Sequence, residues 1–190
     1  MSTAVEEVGI SPRMVSLPPR TCLVAEGVGG PRSEKFRSAM EGVYAVAFTL
    51  KLQSALEQHD FELEPPGVIW WSKSAAFEAT PAKDWRWKVI CPVPEDVDGQ
   101  LVKLIKDSLV GRRHLDFAAD ARIEEVDEGQ CAEIIHVGPY HRVGDTLAKL
   151  HAFLIESHLR PRGPHHEIYL DDPRVTSPEH VRTLIRQPVG

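Results

Sequence analysis

Hydrophobic and polar positions along this chain fall into two rhythms. Short apolar runs with a two-residue repeat read as strands, and stretches with apolar residues three and four apart read as helices. In "TCLVAEGVGGP" (21–31) and "QCAEIIHVGPY" (130–140) a cysteine, an apolar strand and a Gly-Pro step follow in the same order. After the first, Phe36, Met40, Val43, Ala47 and Leu50 recur at helical spacing, with Ser33 placed to cap; after the second, Val143, Leu147, Leu150 and Leu154 do so. Each half continues with a short strand, "VIWWS" or "EIYLD", then Thr80-Pro81 or Ser177-Pro178, then a last strand, "DWRWKVICPV" or "HVRTLIRQPV". The last strands share Ile90 with Ile185 and Pro92-Val93 with Pro188-Val189. Gly-Pro and Pro-Val are common punctuation, so chance resemblance is one account of these matches. Four matching elements in order favour a duplication.

The expected fold is α+β: a tandem duplication of a strand-helix-strand-strand unit, forming antiparallel sheet with two long helices on one face and a central ligand cleft. Residues 1–20, broken by Pro12, Pro18 and Pro19, read as a flexible tail, and residues 21–190 as a single domain. Repeat one is expected at about 21–94 and repeat two at about 114–190. Between them, at about 95–113, Leu101, Leu104, Ile105 and Leu109 predict a linker helix.

Charge narrows the classes of partner. A net charge of −6, with scattered basic residues, argues against nucleic acid, whose binding depends on neutralised phosphates. No apolar run approaches the ~20 residues of a membrane helix, and the N-terminus lacks the features of a signal peptide. Cys22, Cys91 and Cys131 are odd in number and far apart, which suggests neither a disulfide framework nor a CxxC zinc site. A cytoplasmic protein is the expectation.

Candidate chemistry centres on "GPHHEIYLDDPR" (163–174). Strand alternation puts His165, Glu167 and Tyr169 on one face and His166, Ile168 and Leu170 on the other. A metal site, a catalytic base and an ordinary strand end are all compatible with that run. Metal binding is the weakest of these, since no HExxH or cysteine pair completes a ligand set. Trp70, Trp71, Trp85 and Trp87 are all the tryptophans of the chain and fall in one expected hairpin. They form either a flat aromatic pocket for a planar ligand or part of the core. An offset of 97 between repeats aligns Trp70 with Glu167, and an offset of 99 aligns it with Tyr169. Tyr44, Phe48 and Lys51 lie beside the buried stripe of the first long helix, and His151 and Ile155 beside that of the second, as cleft-lining or boundary residues. No GxSxG elbow is present, the cysteines read as inert buried thiols, and Gly27, Gly29 and Gly30 fit a glycine turn better than a phosphate loop.

"VYAVAFTLK", "VIWWS", "WRWKVICPVP", "DEGQCAEIIHVGPY" and "GPHHEIYLDDPR" through "TLIRQPV" resemble the GyrI-like small-molecule-binding proteins, in particular the standalone group of cyclopropanoid cyclopropyl hydrolases. The resemblance runs from about Thr21 to Val189. It implies a duplicated ligand-binding domain in which Glu167 is the catalytic glutamate and Tyr44, Trp70, Trp71 and Trp87 are pocket aromatics. Two departures stand out. The family's compact Leu-Glu-Gly-Leu-Trp-Trp stretch is "LEPPGVIWW" here, which leaves the position of Glu64 open, and a second helix tyrosine is Phe48.

By that resemblance the protein opens the electrophilic cyclopropane of planar DNA-alkylating natural products of the duocarmycin and yatakemycin type. Glu167, its proton affinity raised among aromatics, would activate water, and Tyr44 would bond the carbonyl that gains phenolate character. Trp70, Trp71, Trp87, Phe48, Glu64, His151 and Tyr169 would contact the substrate, with no metal or cofactor required. A different class of function is a binding module that sequesters or senses hydrophobic or cationic drugs without transforming them. Sensing would need a partner, as no DNA-binding segment precedes the module. A protein-binding topoisomerase inhibitor is a third reading.

Overall fold

A computed structural model describes residues 9–73, 79–110, 118 and 120–190. The chain divides into two compact units: a middle unit, Arg20–Val126, and a terminal unit made of Met1–Pro19 with Asp127–Gly190. The α+β class expected from the sequence is the class observed.

In the middle unit, β2 (Arg20–Val28) leads to α1 (Glu34–Leu56), followed by β3 (Gly67–Trp71), β4 (Arg86–Pro92), α2 (Gly99–Leu109) and β5 (Arg122–Val126). The described strands run β3-β4-β2-β5, all antiparallel. Ser33 caps α1, its Oγ accepting from the Phe36 N–H at 3.3 Å. One stripe of α1, including Phe36, Val43, Val46, Ala47 and Leu50, is buried, and α1 contacts β2 and β4. The opposite side of the sheet holds a second apolar cluster of Cys22, Val24 and Ile90, flanked by Ile69 and Val126.

The terminal unit is built from β1 (Arg13–Leu17), β6 (Gly129–Val137), α3 (Val143–Glu156), β7 (His166–Tyr169) and β8 (Arg182–Pro188), with strand order β1-β6-β8-β7. Ala132, Ile134, Val143, Leu150, Leu154, Ile185 and Val189 form the core between α3 and the sheet. Both units therefore carry strand, helix, strand, strand in chain order. Both enter their helix through a glycine in the left-handed region, Gly29 at φ 128° and Gly138 at φ 126°. The Gly29 N–H donates to Trp85 O at 2.8 Å, and the Gly138 N–H to Val181 O at 2.9 Å.

At two places the structure departs from the expectation. Residues 1–8 of the expected tail lie outside the described residues, but Arg13–Leu17 is a strand paired with β6. The backbone bonds supplied by β6 override the proline-rich context. β5 was not anticipated: its Arg122, Glu124 and Glu125 hide the strand rhythm, and Cα pairing of Arg122 through Val126 with β2 sets it. α2 lies within the described part of the expected linker helix and packs on α1, burying Val102, Ile105 and Leu109 while Leu104 is exposed. Residues 111–113 lie outside the described residues. Within the described residues no helix is long and apolar enough to cross a membrane.

Candidate functional site

On β7 the alternation of side chains separates two chemistries. Cross-strand pairing sets Glu167 opposite Ile185 and Tyr169 opposite Thr183, on the face covered by α3, whereas His166 pairs with Arg186 on the other face. The Glu167 side chain is 15% exposed. Tyr169 donates its hydroxyl to Glu167 Oε2 at 3.1 Å, and His165 Nε2 lies 3.5 Å from Glu167 Oε1. A carboxylate held in this way is oriented and shielded, as a general base or a charged ligand partner must be.

Tyr140, at the turn into α3, meets the Tyr169 ring edge to face, with centroids 5.7 Å apart at 84°. Partial burial pushes its phenol above the ordinary tyrosine range, and the charges of Glu167, Asp171 and Asp172 act in the same direction. His136, on β6 opposite Thr183, is buried. Its Nδ1 lies 2.8 Å from Thr146 Oγ1 and its Nε2 3.3 Å from the Pro139 carbonyl, which assigns the ring proton to Nε2 and ties β6, the turn and α3 together. Sequence reading passed over Tyr140 and His136. Their motif "IIHVGPY" carries a polar residue inside an apolar run and an aromatic at a helix entrance, a signal visible only once both are placed beside β7.

The other face of this unit carries an ion ladder. Arg13, Glu133, Arg186 and His166 pair directly across β1, β6, β8 and β7. Arg13 Nη2 lies 2.9 Å from Glu133 Oε1, Arg186 Nη2 3.1 Å from Glu133 Oε2, and Arg186 Nη1 3.0 Å from Glu128 Oε2. His166 Nδ1 closes the row 2.7 Å from Glu128 Oε1. Burial alone would raise Glu128, but its hydrogen bond to His166 and the charges of Arg186 and His166 hold it below the usual carboxylate range. His166 is thus a structural partner of Glu128. Among the described residues no cluster of His, Cys, Asp and Glu can hold a metal ion.

In the middle unit the expected aromatic residues part company. Trp70 and Trp87 face each other across β3 and β4, 4% and 0% exposed, and both pack on Phe36, with centroids 4.8 and 5.5 Å away. A Cβ on Gly27 would sit 2.2 Å from Trp87 Cζ2, so the indole fills the space a side chain would take. These two indoles are core residues, with almost no surface for a ligand in this conformation. Trp85 lies edge-on to Trp70 at 5.8 Å and donates Nε1–H to Thr80 O at 2.7 Å. Trp71 points to the opposite side of β3 and is half-buried.

Tyr44 and Phe48 stack with centroids 6.5 Å apart at 17°, and are 42% and 46% exposed. They continue along α1 into exposed Leu52 and Leu56. Lys51 pairs with Asp60 at 2.6 Å, and Glu64 pairs with Arg20, which places it in an ion pair despite the two following prolines. His151 is exposed on α3, as is Ile155. The cysteines are buried free thiols, with burial pushing Cys91 and Cys131 up to about 12.

If the seven-residue strands β4 and β8 are taken as counterparts, Trp70 opposite Trp87 matches Tyr169 opposite Thr183. That register corresponds to the offset of 99. Val68 then stands where Glu167 stands, each opposite the counterpart positions Val89 and Ile185.

Among curated protein sequences none matches this chain. Solved structures do. An uncharacterized conserved protein from Listeria innocua is similar at 28% identity and a TM-score of 0.89, covering 100% of this chain and 97% of its own. Two structures described as hydrolases from the same organism are similar at 27% and 28% identity, with TM-scores of 0.86 and 0.83. They cover 100% and 98% of this chain and 96% and 95% of their own. The model of the GyrI-like small molecule binding domain matches residues 11–189, and the chain belongs to that family.

Proposed function

We propose that the protein is a cofactor-independent hydrolase of planar aromatic small molecules bearing an electrophilic cyclopropane, with Glu167 as the base that activates water. The observation that carries this reading is the held carboxylate: Glu167 is mostly shielded, oriented at Oε2 by the Tyr169 hydroxyl and accompanied at Oε1 by His165. Resemblance to Listeria proteins described as hydrolases over nearly the full chain supports an enzymatic role.

Water adds to the strained methylene carbon as the C–C bond breaks. The bonding pair moves into the conjugated ring and onto its carbonyl oxygen, the water's proton passes to Glu167, and a second proton reaches the new phenol. The sum is addition of one water. The stacked, exposed Tyr44 and Phe48 of the middle unit offer an aromatic surface of their own to flat molecules.

The test is incubation with a spirocyclopropyl cyclohexadienone alkylator and mass measurement. A gain of one water with the parent, reduced 10²- to 10⁴-fold by Glu167→Gln, is the expected result. Equal turnover by both proteins would remove Glu167 as the base.

The family's small-molecule binding character supports a second reading, retention of organic cations without chemistry. Tight binding of a lipophilic cation by a parent that yields no hydrolysis product, weakened by Glu167→Gln, would establish it instead.

A further inference from the structure

Resting on the hydrolase reading, the geometry points to Tyr140 as a second catalytic residue, the donor that protonates the substrate's carbonyl oxygen as the cyclopropane opens. The backbone that carries it is held on several sides. Gly138 N–H donates to Val181 O at 2.9 Å, His136 Nε2 bonds the Pro139 carbonyl at 3.3 Å, and Arg142 N–H returns to that carbonyl at 2.9 Å. The Tyr140 ring then lies edge to face against Tyr169, the residue whose hydroxyl holds Glu167. Donor and base are thus linked through one intervening ring within a single unit.

Three features suit the role. The residue is 42% exposed, so a ligand can reach it. Its phenol keeps its proton at neutral pH, because partial burial and then the negative charge of Glu167, Asp171 and Asp172 disfavour the phenolate. The Tyr169 proton, by contrast, is committed to Glu167. Ring opening needs a proton at the carbonyl oxygen while one is removed from water. In this scheme Tyr140 gives its proton to that oxygen, Glu167 takes one from the attacking water, and the glutamic acid and tyrosinate left behind exchange that proton through solvent. This places in the terminal unit the donor role that family resemblance gives to Tyr44.

Tyr140→Phe keeps the ring and its contact with Tyr169, and so isolates the hydroxyl. Its kcat should fall about 10²-fold, with KM near that of the parent and an unchanged melting temperature. The loss should shrink across a substrate series as the released phenol becomes more acidic, because a more stable oxyanion needs less help from a donor. A purely structural role would lower turnover equally across that series, and this result would overturn the assignment. So would parental kcat in Tyr140→Phe with Tyr44→Phe carrying the loss. If Glu167→Gln is inactive while Tyr140→Phe is parental, only the donor assignment fails. If Glu167→Gln is parental too, or the parent has no turnover, the hydrolase reading fails with it.

Discussion

Tyr169 and Glu167, two residues apart on β7, point to the same side of the sheet, and the tyrosine hydroxyl donates to the carboxylate at 3.1 Å. Strand alternation makes the contact possible, and the Thr183 and Ile185 positions opposite them keep both on the α3 side. Tyr169→Phe removes this bond and keeps the ring. Turnover should fall about tenfold as the carboxylate loses its orientation, while folding stability changes by only about 1 kcal/mol. Steady-state kinetics paired with urea unfolding measures both, and unchanged turnover would separate Tyr169 from the base.

The exposed pair on α1 can be probed without harming the fold. Phe48→Ala should change stability by no more than about 0.5 kcal/mol, since the ring is 46% exposed. Affinity for a planar aromatic ligand should drop up to roughly tenfold, the worth of one stacking contact. Tryptophan-fluorescence titration reads the affinity, and an unaltered value would remove Phe48 from the recognition surface.

Core packing around Trp87 predicts a different outcome. In Gly27→Ala the new methyl would overlap the indole, and the fully buried ring has little room to yield. A loss of about 1–3 kcal/mol in urea unfolding is expected, with altered near-ultraviolet dichroism from the displaced indole. Parental stability would mean that the indole can shift freely.

The two arginines of β8 should behave unlike each other. Arg186 is 11% exposed and lies between Glu128 and Glu133, so Arg186→Met leaves two shielded carboxylates without it and should cost about 3–5 kcal/mol. Arg182 is 53% exposed in its pair with Asp171, and Arg182→Met should cost at most about 1 kcal/mol. Equal costs in denaturant unfolding would deny the ladder a special role.

Acid should act through the same ladder. Glu128 is held below its usual 4.5 in the folded state, so the unfolded chain takes up this proton first as pH falls. Its contribution is therefore fully present above about 4.5 and is lost as pH falls towards and through the depressed folded value. Urea midpoints measured from pH 7 to pH 3 should decline below pH 5 in the parent. The decline should be shallower in Glu128→Gln, which starts less stable. An equally steep decline would assign the acid sensitivity elsewhere.

By itself the sequence determined the local elements. The helical spacing of Val43, Ala47 and Leu50, the Ser33 cap and the alternation through "HHEIYL" depend on neighbours a few residues away, so α1, α3 and the shared face of Glu167 and Tyr169 were legible. The tertiary structure decided what long-range pairing controls. Arg13–Leu17 became a strand because β6 offered its backbone, and the polar stretch Arg122–Val126 did so along β2. Trp70 and Trp87 went to the core and Tyr44 and Phe48 to the surface, although all four are aromatic, because burial depends on what packs above each residue. The same holds for charge: Glu133 sits in an apolar run with no local sign of a partner, and Arg13 and Arg186, 120 and 53 residues away, supply the countercharges that let it be buried.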